Sequence, residues 1–326
     1  MTPPASIPKI ILDTDPGGDD IFAFLWVQSL AKQGLAELIA ITATAGNVSA
    51  RKTFSNASQI LNLAGSPAIE VGRGVSLSRD ASEDATHIHG NDGMGNLSKT
   101  LPPPTHDYET ARYSDEILID KLSAMPGEIT LVAIGPLTNL AAAEKKSPGI
   151  LKKAKEVVIM GGAFFCPGNV TPHAEFNIWF NSEAADVVLS SRDDLVIMPL
   201  DVTRNLIFTP EMAQAVNPTN SHEMSKFMNH LCEFMITTAI EHRETNGVQG
   251  FLVHDAATIG YLLYPETLLM SRARVCVETK GEWTRGQTFI DRRNQAKQSA
   301  NAWVALQVDS TGFFTRFVED LKALIR

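Results

Sequence analysis

The sequence predicts an α/β fold: a mostly parallel, open sheet with helices on both faces and a helical C-terminal subregion. Two observations carry this. Through the first two thirds of the chain, short runs rich in Val, Ile and Leu alternate with amphipathic stretches of helical length. Those runs are near-continuously apolar, as strands covered on both faces are. The first is Lys9–Leu12, followed by a helix over Asp19–Gln33 with Gly34 at the C-cap position. Leu38–Thr42 is the second strand and Ala50–Ala64 its helix, closed by Gly65. Ile129–Ile134, Val157–Met160 and Leu195–Met198 follow as strands, with helices at Tyr113–Met125, Leu137–Lys146 and Ser182–Ser190.

Two regions depart from the alternation. Gly72 to Asp107 is a long stretch rich in Gly, Pro and His, and a structureless segment of that length in a compact domain is usually functional. Its triple proline, Pro102–Pro104, ends a surface loop. From Thr209 to Leu263 the pattern is helical, with one long helix at Phe227–His242. The tail returns to strands near Arg274–Thr279 and Trp303–Val308, then a helix from Thr311 to Ile325 capped by Asp309 or Ser310. No repeat, low-complexity tract or linker splits the chain, so residues 1–326 are read as a single domain.

The densest signal is the segment Asp13-Thr14-Asp15-Pro16-Gly17-Gly18-Asp19-Asp20, directly after Ile10-Ile11-Leu12. Pro16 and the two glycines force a turn, and Asp19-Asp20 open the next helix. Four carboxylates thus crowd the carboxyl end of a strand, where open α/β sheets place ligands. Like charges repel strongly in a poorly solvated crevice, and a bound divalent cation is the simplest way to hold them together. An N-cap with a solvated turn would explain one or two acids, not four.

Bulk composition narrows the class. Hydrophobic residues make up 44% and charged residues 20%, ordinary for a soluble globular protein. A net charge of −9 argues against nucleic-acid binding, which needs a basic face. Cys166, Cys232 and Cys276 have neither metal-ligand nor disulfide spacing and read as core or reduced surface thiols. Met1-Thr2-Pro3-Pro4-Ala5 lacks the regions of a signal peptide and no apolar run reaches membrane length, so no membrane partner and a cytoplasmic location are expected.

Polar residues cluster after the other strands as well: Ala45-Gly46-Asn47, Gly135-Pro136-Leu137-Thr138-Asn139, and Gly161-Gly162 with Asn169 and Glu175-Phe176-Asn177. They converge on one crevice rimmed by carboxylates and amides, with no basic residue among them. Sugar hydroxyls pair with such groups, whereas phosphates want Arg, Lys or an anion nest. Two histidine groups join them: His87-Ile88-His89-Gly90 in the long loop, and His254 directly before Asp255. A lone His is usually a packing residue, but His254 beside an acid in this setting reads as functional. The hard carboxylate set favours Ca²⁺ or Mg²⁺ over zinc.

These segments resemble the calcium-dependent nucleoside hydrolases of the inosine–uridine type. The likeness runs over nearly the whole chain: the aspartate segment, Thr44-Ala45-Gly46-Asn47, His87–Gly90, Ile134–Asn139, Met160–Gly162, Gly168-Asn169, Glu175–Asn177 and Val253-His254-Asp255. It implies a Rossmann-like open sheet and hydrolysis of the N-glycosidic bond of ribonucleosides, of inosine/uridine or pyrimidine type, to free base and ribose. It implies Ca²⁺ held by the side chains of Asp15, Asp20 and Asp255 and by the carbonyl of Ile134, where members often have Thr. Asp19 would be the general base on the calcium-bound water. Asp15, Asn47, Met160, Asn169, Glu175, Phe176 and Asn177 would bind the sugar. His254 would assist the departing base, with His89 and His242 beside it. The resemblance further implies a homodimer or homotetramer.

That chemistry suits the residues. Breaking an N-glycosidic bond passes through an oxocarbenium-like state needing anionic surroundings, an activated water and help for the leaving group. Two other classes compete. Asp13-Thr14-Asp15 after an apolar strand also resembles the nucleophile loop of haloacid-dehalogenase-type phosphatases, which leaves Asn47, Glu175–Asn177 and His254-Asp255 unexplained. A non-catalytic nucleoside or ribose binder would keep the amides but has no need of Asp19.

Overall fold

A computed structural model describes residues 7–75, 84–217, 222–291, 293 and 299–325. The N-terminal pentapeptide read for targeting, residues 76–83 of the long loop and residues 218–221 of the helical region lie outside them. Strands are β1 Lys9–Thr14, β2 Glu37–Ala43, β3 Glu70–Gly72, β4 Ile129–Ala133, β5 Glu156–Met160, β6 Leu195–Met198, β7 Ile207–Phe208 and β8 Phe251–Leu252. The last four are β9 Leu268–Ala273, β10 Val275–Val277, β11 Thr288–Ile290 and β12 Ala302–Val308. Helices are α1 Gly18–Lys32, α2 Ala50–Leu63, α3 Thr86–His89, α4 Ser114–Ala124, α5 Thr138–Lys146 and α6 Phe176–Phe180. They continue as α7 Ser182–Leu189, α8 Leu200–Thr203, α9 Pro210–Val216, α10 Glu223–Glu241, α11 Ala256–Leu263 and α12 Ser310–Ile325.

The main sheet has eight strands in the order β3-β2-β1-β4-β5-β6-β12-β9. All its pairings are parallel except β12 with β9 at one edge. β1 explains why near-continuous apolar runs are needed. Ile10 and Leu12 pack into the cluster with α1, α2, α10 and α12, while Ile11 packs into the opposite one with α4, α5 and α7. A strand with helices on both faces has no solvent side for polar residues. β1 also pairs with β2 and β4, the two strands between which the order reverses, so its carboxyl end opens the crevice of an open α/β sheet.

Three expectations need correction. The region from Thr209 to Leu263 is not helical throughout: α10 ends at Glu241, and Arg243, Asn246 and Gly247 adopt left-handed backbone (φ 58°, 52° and 86°). That break lets Phe251–Leu252 pair antiparallel with β7. The strand expected near Arg274–Thr279 is β10, but it lies outside the main sheet and pairs with β11, and the main-sheet strand β9 just before it was not expected. The stretch from Gly72 contains α3 and a 3₁₀ turn at Ser98–Thr100. Asp92 organises it, its carboxylate accepting the backbone N–H groups of Met94, Asn96 and Ser98.

The C-terminal helix is fastened to α1 by one buried acid. Asp320 Oδ2 accepts from Trp26 Nε1 and from the Tyr264 hydroxyl, both at 2.8 Å, beside a Trp26–Phe317 edge contact of 4.8 Å. The Ser29 hydroxyl donates to the Asp320 carbonyl. Hydrogen bonds to a charged group contribute about 1.5–3 kcal/mol, and orphaning their donors adds to the loss. Asp320→Ala should therefore lower unfolding stability by roughly 2–4 kcal/mol in urea denaturation with an unchanged m-value. A loss below about 0.5 kcal/mol, the range of ordinary surface changes, would show that apolar packing alone holds the helix.

Candidate active site

A cavity of about 910 Å³ lies at the carboxyl ends of β1, β4 and β5. Its floor is acidic. Asp19 and Asp20 enter from the first turn of α1, and Asp255 from the start of α11. Among the described residues these three bring one carboxylate oxygen each within 4.8 Å of one another. Asp15 lies against them, close enough that Asp20 and Asp19 raise its pKa.

The turn between β1 and α1 is braced by Asn47. Its backbone N–H donates to Asp15 Oδ2 at 2.7 Å, and its side-chain amide donates to Asp20 Oδ2 at 2.8 Å and to the Asp15 carbonyl at 3.2 Å. The Thr14 hydroxyl and the Gly17 N–H hold Asp20 as well, at 2.7 and 3.2 Å. A Cβ at Gly17 would press on Asn47 Nδ2 and His89 Nδ1, so glycine here lets both close in. Of the four acids in the segment, Asp13 is turned away. Its Oδ2 accepts from Thr42 Oγ1 at 2.6 Å and Asn139 Nδ2 at 2.8 Å, behind the cavity. Strand alternation puts Asp13 on the face of Ile11, opposite Leu12 and Thr14, whereas Asp15 lies beyond the end of β1.

The electrostatics of the floor are one-sided. Burial first, and neighbouring carboxylates second, push Asp15 and Asp255 well above the usual carboxylate range and Asp19 up to about 8. Burial raises Asp20 to about 6 against the pull of its hydrogen bonds. No ion pair among the described residues reaches any of the four. Asp15 Oδ1 is buried with no hydrogen-bond partner at all. An orphaned carboxylate oxygen among buried like charges fits a hard divalent cation: oxygen donors, negative field, nothing else to neutralise them. The Ile134 carbonyl accepts from Asn177 Nδ2 at 2.9 Å and keeps a second lone pair.

The walls bring the expected polar residues together. Asn177 spends its amide protons on the carbonyls of Ile134 and Met160, leaving Oδ1 as its ligand-facing atom. Asn47 is likewise left with Oδ1. Glu175 caps α6, its Oε1 accepting the Asn177 N–H and its Oε2 those of Gly162 and Ile178. Asn169 Oδ1 accepts the Phe176 N–H at 2.9 Å, which leaves its amide protons. Met160, Phe176, His89, His254 and His242 all line the same cavity.

The histidines are held differently. His89 Nδ1 accepts the Gly18 N–H at 2.8 Å. A backbone N–H can only donate, so the neutral ring carries its proton on Nε2. Burial, then the nearby His87, lower its pKa to about 4. His254 Nδ1 lies 2.7 Å from the Thr203 hydroxyl. Burial, then the charge of Arg204, then His89, lower its pKa to about 3. His242 meets His87 ring to ring at 5.5 Å.

The crevice is not free of basic residues, contrary to the expectation from sequence. Arg204 and Arg243 line it, as does Glu244. Arg204 was within reach of the strand-end argument, since it follows β6 as Asn47 follows β2. Arg243 had no such signal, standing beyond a helix end whose left-handed turn brings it round. Thr203, the partner of His254, was equally hidden, because 51 residues separate the two.

A doubly wound sheet with a buried carboxylate floor, amide walls and histidines above defines a hydrolase site for a polyhydroxyl substrate. The chain belongs to the inosine–uridine preferring nucleoside hydrolase family, whose model matches residues 10–315. It is 35% identical over 298 residues to a probable uridine nucleosidase 1 of Oryza sativa subsp. japonica, covering 90% of this chain and 88% of that one. It is 34% identical to the pyrimidine-specific ribonucleoside hydrolase RihB of Escherichia coli O157:H7, covering 98% of each. A purine-preferring ribonucleoside hydrolase from Gardnerella vaginalis superimposes with a TM-score of 0.88 at 29% identity, over 97% of this chain and 98% of that one. The phosphatase alternative falls with this, and its would-be nucleophile Asp13 is the carboxylate sealed behind Thr42 and Asn139.

Two glycines make room for Asp15. A Cβ at Gly46 would overlap Asp15 Oδ2, and one at Gly135 would overlap Oδ1. Gly135→Ala should therefore displace the orphaned oxygen and weaken divalent-cation affinity by roughly 10–100-fold, as disturbed ligand positioning does. Thermal-shift titration with calcium measures it, and an unchanged affinity in a folded variant would remove Asp15 Oδ1 from the cation site.

Proposed function

We propose that this chain hydrolyses ribonucleosides, of inosine/uridine or pyrimidine type, to free base and ribose. The observation that carries the reading is the buried carboxylate cluster, unpaired with any Lys or Arg among the described residues and with an orphaned Asp15 oxygen, on the floor of a cavity large enough for a nucleoside. We assign the cation as Ca²⁺, held by the carboxylates of Asp15, Asp20 and Asp255 and the carbonyl of Ile134. When bound, it supplies a water of lowered pKa and coordination for vicinal hydroxyls.

The chain's own groups then divide the work. Asp19 takes the proton of the attacking water on a carboxylate oxygen, and burial and the neighbouring Asp20 strengthen its hold on that proton. Asn47 and Asn177 present their free Oδ1 atoms to hydroxyl protons, and Asn169 its free amide protons to a hydroxyl oxygen. Glu175 fixes the backbone that carries Asn177. Met160 and Phe176 supply apolar wall against the sugar ring. At the other end His254 assists the leaving base, with the Thr203 hydroxyl fixing its ring. His89 offers an Nε2–H and cannot gain a second proton without breaking its bond to Gly18. His242 stands over the base beside His87. We read residues 1–326 as one domain, working in the cytoplasm as a homodimer or homotetramer. No helix among the described residues is long and apolar enough to cross a membrane.

The test is a panel of ribonucleosides and their 2′-deoxy forms, assayed for released sugar with the wild type and Asp19→Asn. Sites built around a substrate hydroxyl reject the analogue lacking it by up to roughly 10⁴-fold, so uridine and inosine should far exceed their 2′-deoxy forms. Asp19→Asn should lower kcat by at least ~10²-fold while remaining folded. Equal rates on ribo and deoxy forms would remove the diol as anchor, and near-normal turnover by the variant would move the base to another acid.

A further inference from the structure

The mechanism above leaves Arg204, Arg243 and Glu244 of the cavity lining unused, and of the two cations Arg204 is half-buried while Arg243 is exposed. Arg204 closes the C-terminus of α8, the turn that follows β6, and its side chain lines the same cavity as the acid cluster. Its Nη2 donates to the Gly168 carbonyl at 2.9 Å, the one hydrogen bond the guanidinium makes among the described residues. Among the described residues no carboxylate pairs with it, whereas the partly buried Arg192 and Arg285 each have one, Asp194 and Glu183. Arg204 is half-buried, and taking an arginine even partly out of water without a counter-charge is costly, a cost that an anion in the cavity would relieve. Arg204 directly follows Thr203, whose hydroxyl lies 2.7 Å from Nδ1 of His254, the residue assigned above to the leaving base.

Resting on the proposed hydrolysis, we propose that Arg204 is the cation that receives the negative charge of the departing base. When the C1′–N bond breaks, its electron pair goes to the base nitrogen, while the water oxygen bonds C1′ and a water proton goes to Asp19. The base thus carries negative charge until it takes a proton. A guanidinium keeps its own proton and offers up to five donors, so it can stabilise that charge without a proton transfer. The electrostatic layout is then directional: acid floor at the sugar, where positive charge develops, and a cation toward the base, where negative charge develops. Bases whose charge spreads onto a carbonyl oxygen adjoining the nitrogen would gain most, because oxygen is the better acceptor for a guanidinium fork.

The experiment compares the full-length wild type, Arg204→Met and Arg204→Lys on uridine, inosine and p-nitrophenyl riboside. Losing a donor aimed at developing charge should cut kcat on uridine and inosine by ~10²-fold, with KM within ~3-fold. On p-nitrophenyl riboside, whose leaving group holds negative charge well by itself, the loss should be at least ~10-fold smaller. Arg204→Lys keeps the charge and should recover at least ~10-fold of the loss on the natural nucleosides, which also guards against a Met variant that misfolds. Equal losses on all three substrates would make Arg204 a brace for Gly168 and overturn the proposal. So would undiminished turnover of uridine by Arg204→Met. Uridine 5′-monophosphate processed by the wild type at the rate of uridine, and lost selectively in Arg204→Met, would place the cation at a 5′-phosphate instead and equally overturn it. A wild type inactive on every nucleoside would sink the underlying function, a result distinct from all of these.

Discussion

Four buried carboxylates that repel one another are the constraint on which the site depends. Asp15, Asp19, Asp20 and Asp255 come from two distant parts of the chain and meet where water cannot screen them. Desolvation raises all four above the ordinary carboxylate range and repulsion adds to it at Asp15, Asp19 and Asp255, which is the electrostatic statement that something positive belongs among them. The rest of the fold keeps them together against that repulsion. β1 is clamped between β2 and β4, Asn47 ties Asp15 to Asp20, and the glycines at 46 and 135 leave no slack beside Asp15.

That arrangement explains which parts of the molecule were legible in the sequence. The aspartate segment could be read because a strand buried on both faces must be apolar, so the switch from Ile10–Leu12 to acid marks its end unambiguously. The same contrast placed β2, β4, β5 and β6 within a residue or two, together with the polar groups that follow them. What failed was local. β3 is only three residues long, and β9 runs on from β10 with no turn residue to divide them. The helical reading after Thr209 overlooked Asn246-Gly247, a pair suited to left-handed backbone.

Within the site, what the sequence concealed was pairing. Counting four acids after β1 was correct, but only the fold shows that Asp13 serves Thr42 and Asn139 on the far side of the strand. The amides at 47 and 177 could be expected to face a ligand. That their N–H groups are already engaged, so that each offers an oxygen, depends on partners up to 43 residues away. The tautomer of His89 likewise follows from a backbone N–H 71 positions earlier in the chain. The cavity joins an acidic end to one with neutral histidines and Arg204, and relatives with uridine, pyrimidine and purine names share its frame.

The most direct test of this account is anomalous diffraction from crystals grown with calcium, collected at a long wavelength and again at the zinc edge. One calcium peak is predicted, about 2.3–2.6 Å from carboxylate oxygens of Asp15, Asp20 and Asp255 and from the Ile134 carbonyl. The absence of any peak among these oxygens, or a zinc signal ligated by His89 or His254, would contradict it.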